Sequence, residues 1–386
     1  MALWLVVAVL VLPMAVLPMA WGIDPMQARN AVFIVVGLAT VIGLLRNRWL
    51  QAFLIWAVVA FALSGMRSWG LAGLLGLFAW ALLYRHASRL TEAGWRSVRW
   101  ALVAAVAVQL VWMGLQVIGA DPLFSEVSWR GDLELVKAPT ADVMRCGVAD
   151  PACVTRLQAL GWTLRPAPVV GFLLNPMDAS LFLGLALPLL PWWLALPTVA
   201  AILSELRATA GLAAVAITAL WFALRTARPG LRRFGWLSVP VVGLGVTLYL
   251  LYVDPQGAGI KPTIWWHTLS LAWINPITGW GPNAVNYAVR ILDPARDLYW
   301  NFVFNEWIQG ALEVGMVGVA LVLGYFGALA WRLRGHRWQA AGPLVPGVAI
   351  LLAVSVFSIP LRIGPVALLG ALYLGRLDGL LAKGEA

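Results

Sequence analysis

Charge is what this 386-residue chain has least of: Asp, Glu, Lys and Arg make up 11% of it, against roughly a quarter in soluble domains. An ordinary soluble fold is therefore excluded. Histidine is nearly absent, and His86, His267 and His336 are scattered, which excludes a histidine-built metal centre. Two cysteines, Cys146 and Cys153, are too few for a disulfide scaffold and too far apart for a CxxC redox motif. The chain also lacks the ten-residue segments of alternating polarity that mark a transmembrane β-barrel. No basic stripe is interleaved with stacking aromatics, so the net charge of +10 does not point to nucleic acid.

Apolar surface is what the chain has in quantity, at 62% of residues. Apolar runs of bilayer length recur from end to end, which predicts an all-α polytopic membrane protein. The 23 tryptophans suit anchoring at the membrane interfaces, and many fall near expected span ends. The expected spans are 2–20, 30–45, 49–65, 68–84, 100–119, 169–187, 189–205, 209–224, 235–252, 305–330, 344–359 and 363–381. The first twenty residues have no basic leader and no small-x-small cleavage site, so they read as a retained span.

Arginine placement sets the orientation. Three short clusters occur: Arg85, Arg89, Arg96 and Arg99; Arg225, Arg228, Arg232 and Arg233; and Arg332, Arg334 and Arg337. Basic loops stay cytoplasmic, and a chain that starts inside puts all three clusters, and both termini, there. Region 169–224 then needs three short spans, because two long ones would turn the second cluster outward. The expected organisation is an N-terminal membrane bundle (1–119), a first extracytoplasmic loop (120–168), central spans (169–252), a second extracytoplasmic loop (253–303) and C-terminal spans (304–386). Cys146 and Cys153 fall in the first loop, where they read either as a disulfide or as two free thiols.

Polar groups at bilayer depth are costly unless paired or hydrated, so each asks for a role. In "GFLLNPMDAS", Asn175 and Asp178 flank Pro176, which breaks the backbone ladder. They read as cavity-lining groups or as a helix entrance where a carboxylate is favoured. In "LSELRATAG", Glu205 and Arg207 form an external turn, or Arg207 grips a phosphate with its planar fork of donors. Lys261 precedes a segment with Trp265, Trp266 and Trp273 that suits the outer interface. "PITGWGPN" supplies Gly279 and Gly281, where backbone can approach a ligand closely. In "FNEWIQGALEVGMVG", Asn305, Glu306, Gln309 and Glu313 share one arc of about 100° on a helix. Asn305 and Glu306 are expected to face a cavity at the outer end. Glu313 is expected to bond a neighbouring helix or broken backbone, and Gly315 and Gly318 to allow close helix contact on another face.

Taken in order, these runs resemble the O-antigen ligase and O-antigen polymerase superfamily, which includes bacterial protein O-oligosaccharyltransferases. "LQVIGADPLF" is similar to the span end entering the first external loop. "GFLLNPMDAS" resembles the family's Gly-x-x-x-Asn-Pro run, and "LRATAGLAA" its arginine segment, with Arg207 on the family's arginine. "KPTIW" with "NPITGWGPN" resembles an Arg-x-x-x-Trp and Pro-x-x-Gly-x-Gly pair, and "FNEWIQGALEVGMVG" the His-Asn…Glu-x-Gly-x-x-Gly opening of the next span. The likeness covers roughly 115–325. The chain departs from the pattern at Phe304, which replaces the family histidine, and at Lys261, which replaces an arginine.

The resemblance implies transfer of a glycan from undecaprenyl pyrophosphate to a hydroxyl at the outer face of a bacterial inner membrane, with no metal or other cofactor. Acceptors in the family are lipid A-core, a growing glycan or a protein. Arg207 and Lys261 would offset charge on the leaving diphosphate, and Glu306 or His267 would serve the acceptor proton in place of Phe304. Asn175, Asp178, Asn305, Gly279 and Gly281 would hold substrate. Two other functions stay open: a lipid-linked oligosaccharide flippase or transporter, and a non-catalytic relative. Beyond substrates, the expected partners are membrane lipids.

Overall fold

A computed structural model describes residues 2–11, 47–64, 67–118, 133–137, 142–146, 162–166, 169, 171–173, 176–206, 208–226, 241, 244, 245, 248, 249, 255–285, 303–333 and 341–384. Helices carry the architecture. Four of them are long and apolar enough to cross a membrane: Gly70–Ser88, Glu92–Val117, Glu306–Arg332 and Gly364–Lys383. Shorter apolar helices accompany them. In chain order the helices are α1 (Ala2–Val11), α2 (Arg48–Leu63), α3 (Arg67–Ser88), α4 (Glu92–Val117), α5 (Pro176–Ala186), α6 (Trp192–Ala201) and α7 (Thr209–Thr226). There follow α8 (Pro255–Ile274), α9 (Glu306–Arg332), α10 (Leu344–Ser355) and α11 (Gly364–Lys383).

Local chemistry fixes several of these ends. The Asn47 side chain accepts hydrogen bonds from the amides of Trp49 and Leu50, starting α2. Thr91 does the same for α4 through the amide of Gly94. At the far end, Gly384 closes α11 in the left-handed conformation at φ 72°.

Helix α11 is the buried centre of the bundle and lies closest against α3. Small residues allow the approach: a Cβ added at Gly375 would come within 2.8 Å of the Ala87 side chain, and one at Gly379 within 2.9 Å of the Ser88 backbone. Arginines tie the helix ends together there. Arg376 donates to the Leu90 carbonyl at 2.6 Å and to the Glu92 carboxylate at 2.5 Å. Asp378 accepts from the Tyr84 hydroxyl at 2.6 Å and pairs with Arg332. This basic end and the N-terminus of α9 lie at opposite ends of the 27-residue run Glu306–Arg332.

Within region 120–168, β1 (Leu133–Lys137) pairs antiparallel with both β2 (Asp142–Cys146) and β3 (Trp162–Pro166), giving the order β2-β1-β3. Region 169–224 falls into three helical pieces, α5, α6 and α7, separated by Pro191 and by a π-turn over Ile202–Leu206.

Candidate functional site at the broken helix

Helix α9 is not continuous. At Gly315 the backbone takes φ 70° and ψ 176°, a conformation that L side chains essentially never adopt. The break strands backbone groups that a bilayer cannot satisfy, so other parts of the chain must do so. The "PITGWGPN" turn does most of this. The Trp280 and Gly281 amides donate to the Leu312 and Glu313 carbonyls, both at 2.8 Å, and the Met316 amide donates to the Pro276 carbonyl at 2.8 Å. Trp56 of α2 completes the set, its indole donating to the Val314 carbonyl at 2.8 Å.

The turn approaches this closely only because both partners are glycine. A Cβ on Gly279, itself at φ 68°, would lie 2.6 Å from the Glu313 backbone. On Gly315 it would run into the Ile277 carbonyl. The close contact expected of Gly315 is therefore backbone to backbone with a turn, not helix against helix. The turn is also braced from within and behind. Asn275 donates to the Gly279 carbonyl at 2.5 Å, the Trp280 indole to the Leu271 carbonyl at 3.0 Å, and the Ser64 hydroxyl to the Trp280 carbonyl at 2.5 Å.

The polar stripe at the start of α9 meets a cation that sequence reasoning missed. Arg362 lies in a single 3₁₀ turn, Pro360–Arg362, between α10 and α11. Its Nε donates to Glu306 at 3.1 Å and its Nη2 to Glu313 at 2.7 Å. Glu306 also accepts from the Leu361 amide at 3.3 Å, while Gln309 donates to Glu313 at 3.0 Å and accepts from the Val303 amide at 3.3 Å. Side-chain exposures of 23% for Arg362, 14% for Glu306 and 4% for Glu313 make this a buried cluster. Burial opposes the Arg362 charge, but the two carboxylates outweigh it and hold the guanidinium pKa above its ordinary value.

Glu306, Glu313 and Arg362 form the charged end of a cavity of about 300 Å³. Its walls are otherwise mostly apolar and come from α2, α3, α9, α10 and α11. Asn305, expected to face substrate, caps α9. Its side-chain oxygen accepts from the amides of Trp307 and Ile308, capping α9, and its amide donates to the Val356 carbonyl at 2.7 Å.

No family model matches the chain, and no curated protein matches it either.

The remaining site candidates divide in four. Lys261 sits beside the cluster's end of α9, its ammonium 5.9 Å from the ring centre of Phe304. His267 is on α8 as well, and Asp178 is buried in the first turn of α5; like Lys261, neither is among the residues lining the cavity. Gly279 and Gly281 act through the backbone turn, beside the cavity-lining Pro282 and Asn283. Arg207, Asn175 and Cys153 lie outside the described residues, and of Cys146 only the backbone is described. Among the described residues, no group of three or more His, Cys, Asp or Glu is placed to hold a metal ion.

Proposed function

We propose that the protein is a membrane-embedded transferase. In this reading it moves a glycan from undecaprenyl pyrophosphate to an acceptor hydroxyl at the outer face of the bacterial cytoplasmic membrane. About twelve spans, two extracytoplasmic loops and cytoplasmic termini complete the arrangement. One observation carries most weight: Lys261 and Glu306, separate in sequence, lie at the end of α9 opposite the arginine-tied end, and the Gly279–Gly281 turn packs on the break in the same half of that helix. If arginine-rich ends are cytoplasmic, that end faces outward.

The chemistry follows from the groups present. Lys261 and Arg207 offset charge as the sugar C1–oxygen bond breaks and its electron pair leaves on the diphosphate. The acceptor oxygen forms the new bond to C1, and its proton passes to Glu306. Each Glu306 oxygen keeps a lone-pair site beyond its bond to Arg362 or Leu361, so a hydroxyl can still donate to it. Phe304 cannot take that proton and instead presents its ring to Lys261.

The break in α9 favours a second reading, because broken helices mark the binding sites of transporters. There, however, unwound carbonyls face the cargo. Here the Leu312, Glu313 and Val314 carbonyls are engaged by Trp280, Gly281 and Trp56. Purified protein given a lipid-linked oligosaccharide and a hydroxyl acceptor separates the two: glycosylated acceptor supports transfer, whereas lipid crossing sealed vesicles without product supports transport.

A further inference from the structure

An acidic residue that opens a helix commonly turns back to bond the free amides of the first turn. Glu306 has no such task, because Asn305 already takes the Trp307 and Ile308 amides. Its carboxylate is held instead by the three-residue turn Pro360–Arg362. The Arg362 Nε donates to one oxygen at 3.1 Å and the Leu361 amide to the other at 3.3 Å. Each oxygen keeps its second lone-pair direction for an incoming hydroxyl.

The guanidinium is itself fixed from behind. Its Nη2 donates to Glu313 at 2.7 Å, Gln309 donates to the other Glu313 oxygen at 3.0 Å, and the Val303 amide donates to Gln309 at 3.3 Å. One chain of hydrogen bonds thus runs from the Val303 backbone to the Glu306 carboxylate. Arg362 cannot swing away from Glu306 without straining its bond to Glu313. Charge acts along the same chain: a neighbouring cation favours an ionised carboxylate, and a second carboxylate disfavours it. Among the described residues, the other ionisable positions on elements about this half of α9 are Arg67 at the start of α3 and Lys261 and His267 on α8. Arg48 of α2 and the charged residues of α11 belong to the far half, where Trp49 lies against Gly324 and Asp378 pairs with Arg332.

We infer that Arg362 and Glu313 are positioning residues for Glu306, which together set its orientation and the ease with which it takes a proton. Their purpose rests on the transferase reading, in which Glu306 receives the proton of the acceptor hydroxyl.

Two readouts distinguish positioning from stability alone. One is the pH dependence of turnover with an undecaprenyl-pyrophosphate-linked glycan and a hydroxyl acceptor. The other is an infrared titration of the protonated-carboxyl band that Glu306→Gln abolishes. Turnover should fall as pH drops through the same transition that the band reports. Glu313→Gln removes a neighbouring negative charge and should move the transition to lower pH. Adding Arg362→Gln to Glu313→Gln removes the cation as well, and should move it about one to three pH units above that of Glu313→Gln alone. Arg362→Lys should leave the transition near its original pH but lower turnover, because a point charge cannot hold two carboxylates in a fixed fork. A change that only weakened the fold would lower the unfolding temperature and leave the transition in place. The same transition pH in every folded variant would overturn the inference. Should the double variant not fold, the shift in Glu313→Gln decides. Absence of transfer by the unaltered protein would overturn the transferase reading instead, and the infrared band would still decide whether Arg362 and Glu313 govern Glu306.

Discussion

Arg362 and Glu313 are 49 positions apart in the chain, yet their charged groups meet at 2.7 Å. Glu306 binds the same guanidinium from one side, and Gln309 steadies Glu313 from the other. One arginine thus pairs with both carboxylates of the α9 stripe.

Removing that arginine is therefore costly. Arg362→Met leaves two buried carboxylates without a cation, and a loss of roughly 3–5 kcal/mol is expected. Thermal unfolding in detergent measures it. Adding Glu313→Gln to Arg362→Met should recover part of the loss, because the uncompensated charge is then smaller. Independent, additive effects of the two changes would show that the pair is not coupled.

The break in α9 makes a second demand. Gly315→Ala must hold a side chain in a backbone region worth roughly 1–3 kcal/mol of strain, and it presses the new methyl against the turn. Gly327→Ala on the same helix meets open space and should be neutral or gain up to about 1 kcal/mol of helix propensity. Paired unfolding curves check the contrast. Equal stability of the two variants would mean that α9 runs through residue 315 unbroken.

Some of this site is legible in the sequence and some is not. The stripe of Asn305, Glu306, Gln309 and Glu313 follows from helical periodicity alone. What the stripe binds does not, because Arg362 is a lone residue in a three-residue turn far along the chain. A signal did exist: ending one span at 359 and starting the next at 363 places residue 362 on the same side as 305, where two carboxylates need a cation. Gly315 was misread because glycines spaced in an apolar helix fit helix packing as well as they fit a break. Its true partner, "PITGWGPN", is nearly forty positions upstream. Likewise, Asn305 carries the same residue type whether it caps a helix or holds a ligand, and only the amides of Trp307 and Ile308 decide.

The cysteines offer a check on sidedness. Cys146 and Cys153 fall in a segment read as extracytoplasmic, where oxidation persists. Both should resist alkylation by a membrane-impermeant maleimide until a reductant is added. Immediate labelling of both would refute the bridge.

Most directly at stake is whether cations at the outward end of the bundle drive the proposed transfer. The decisive quantity is the turnover rate of Arg207→Ala and Lys261→Ala protein with a defined undecaprenyl-pyrophosphate-linked glycan and its acceptor. Each should fall by about 10²–10³-fold, as expected when a charge-stabilising donor is lost, while Lys261→Arg keeps most activity and all three insert and purify normally. Wild-type turnover in both alanine variants would contradict the account.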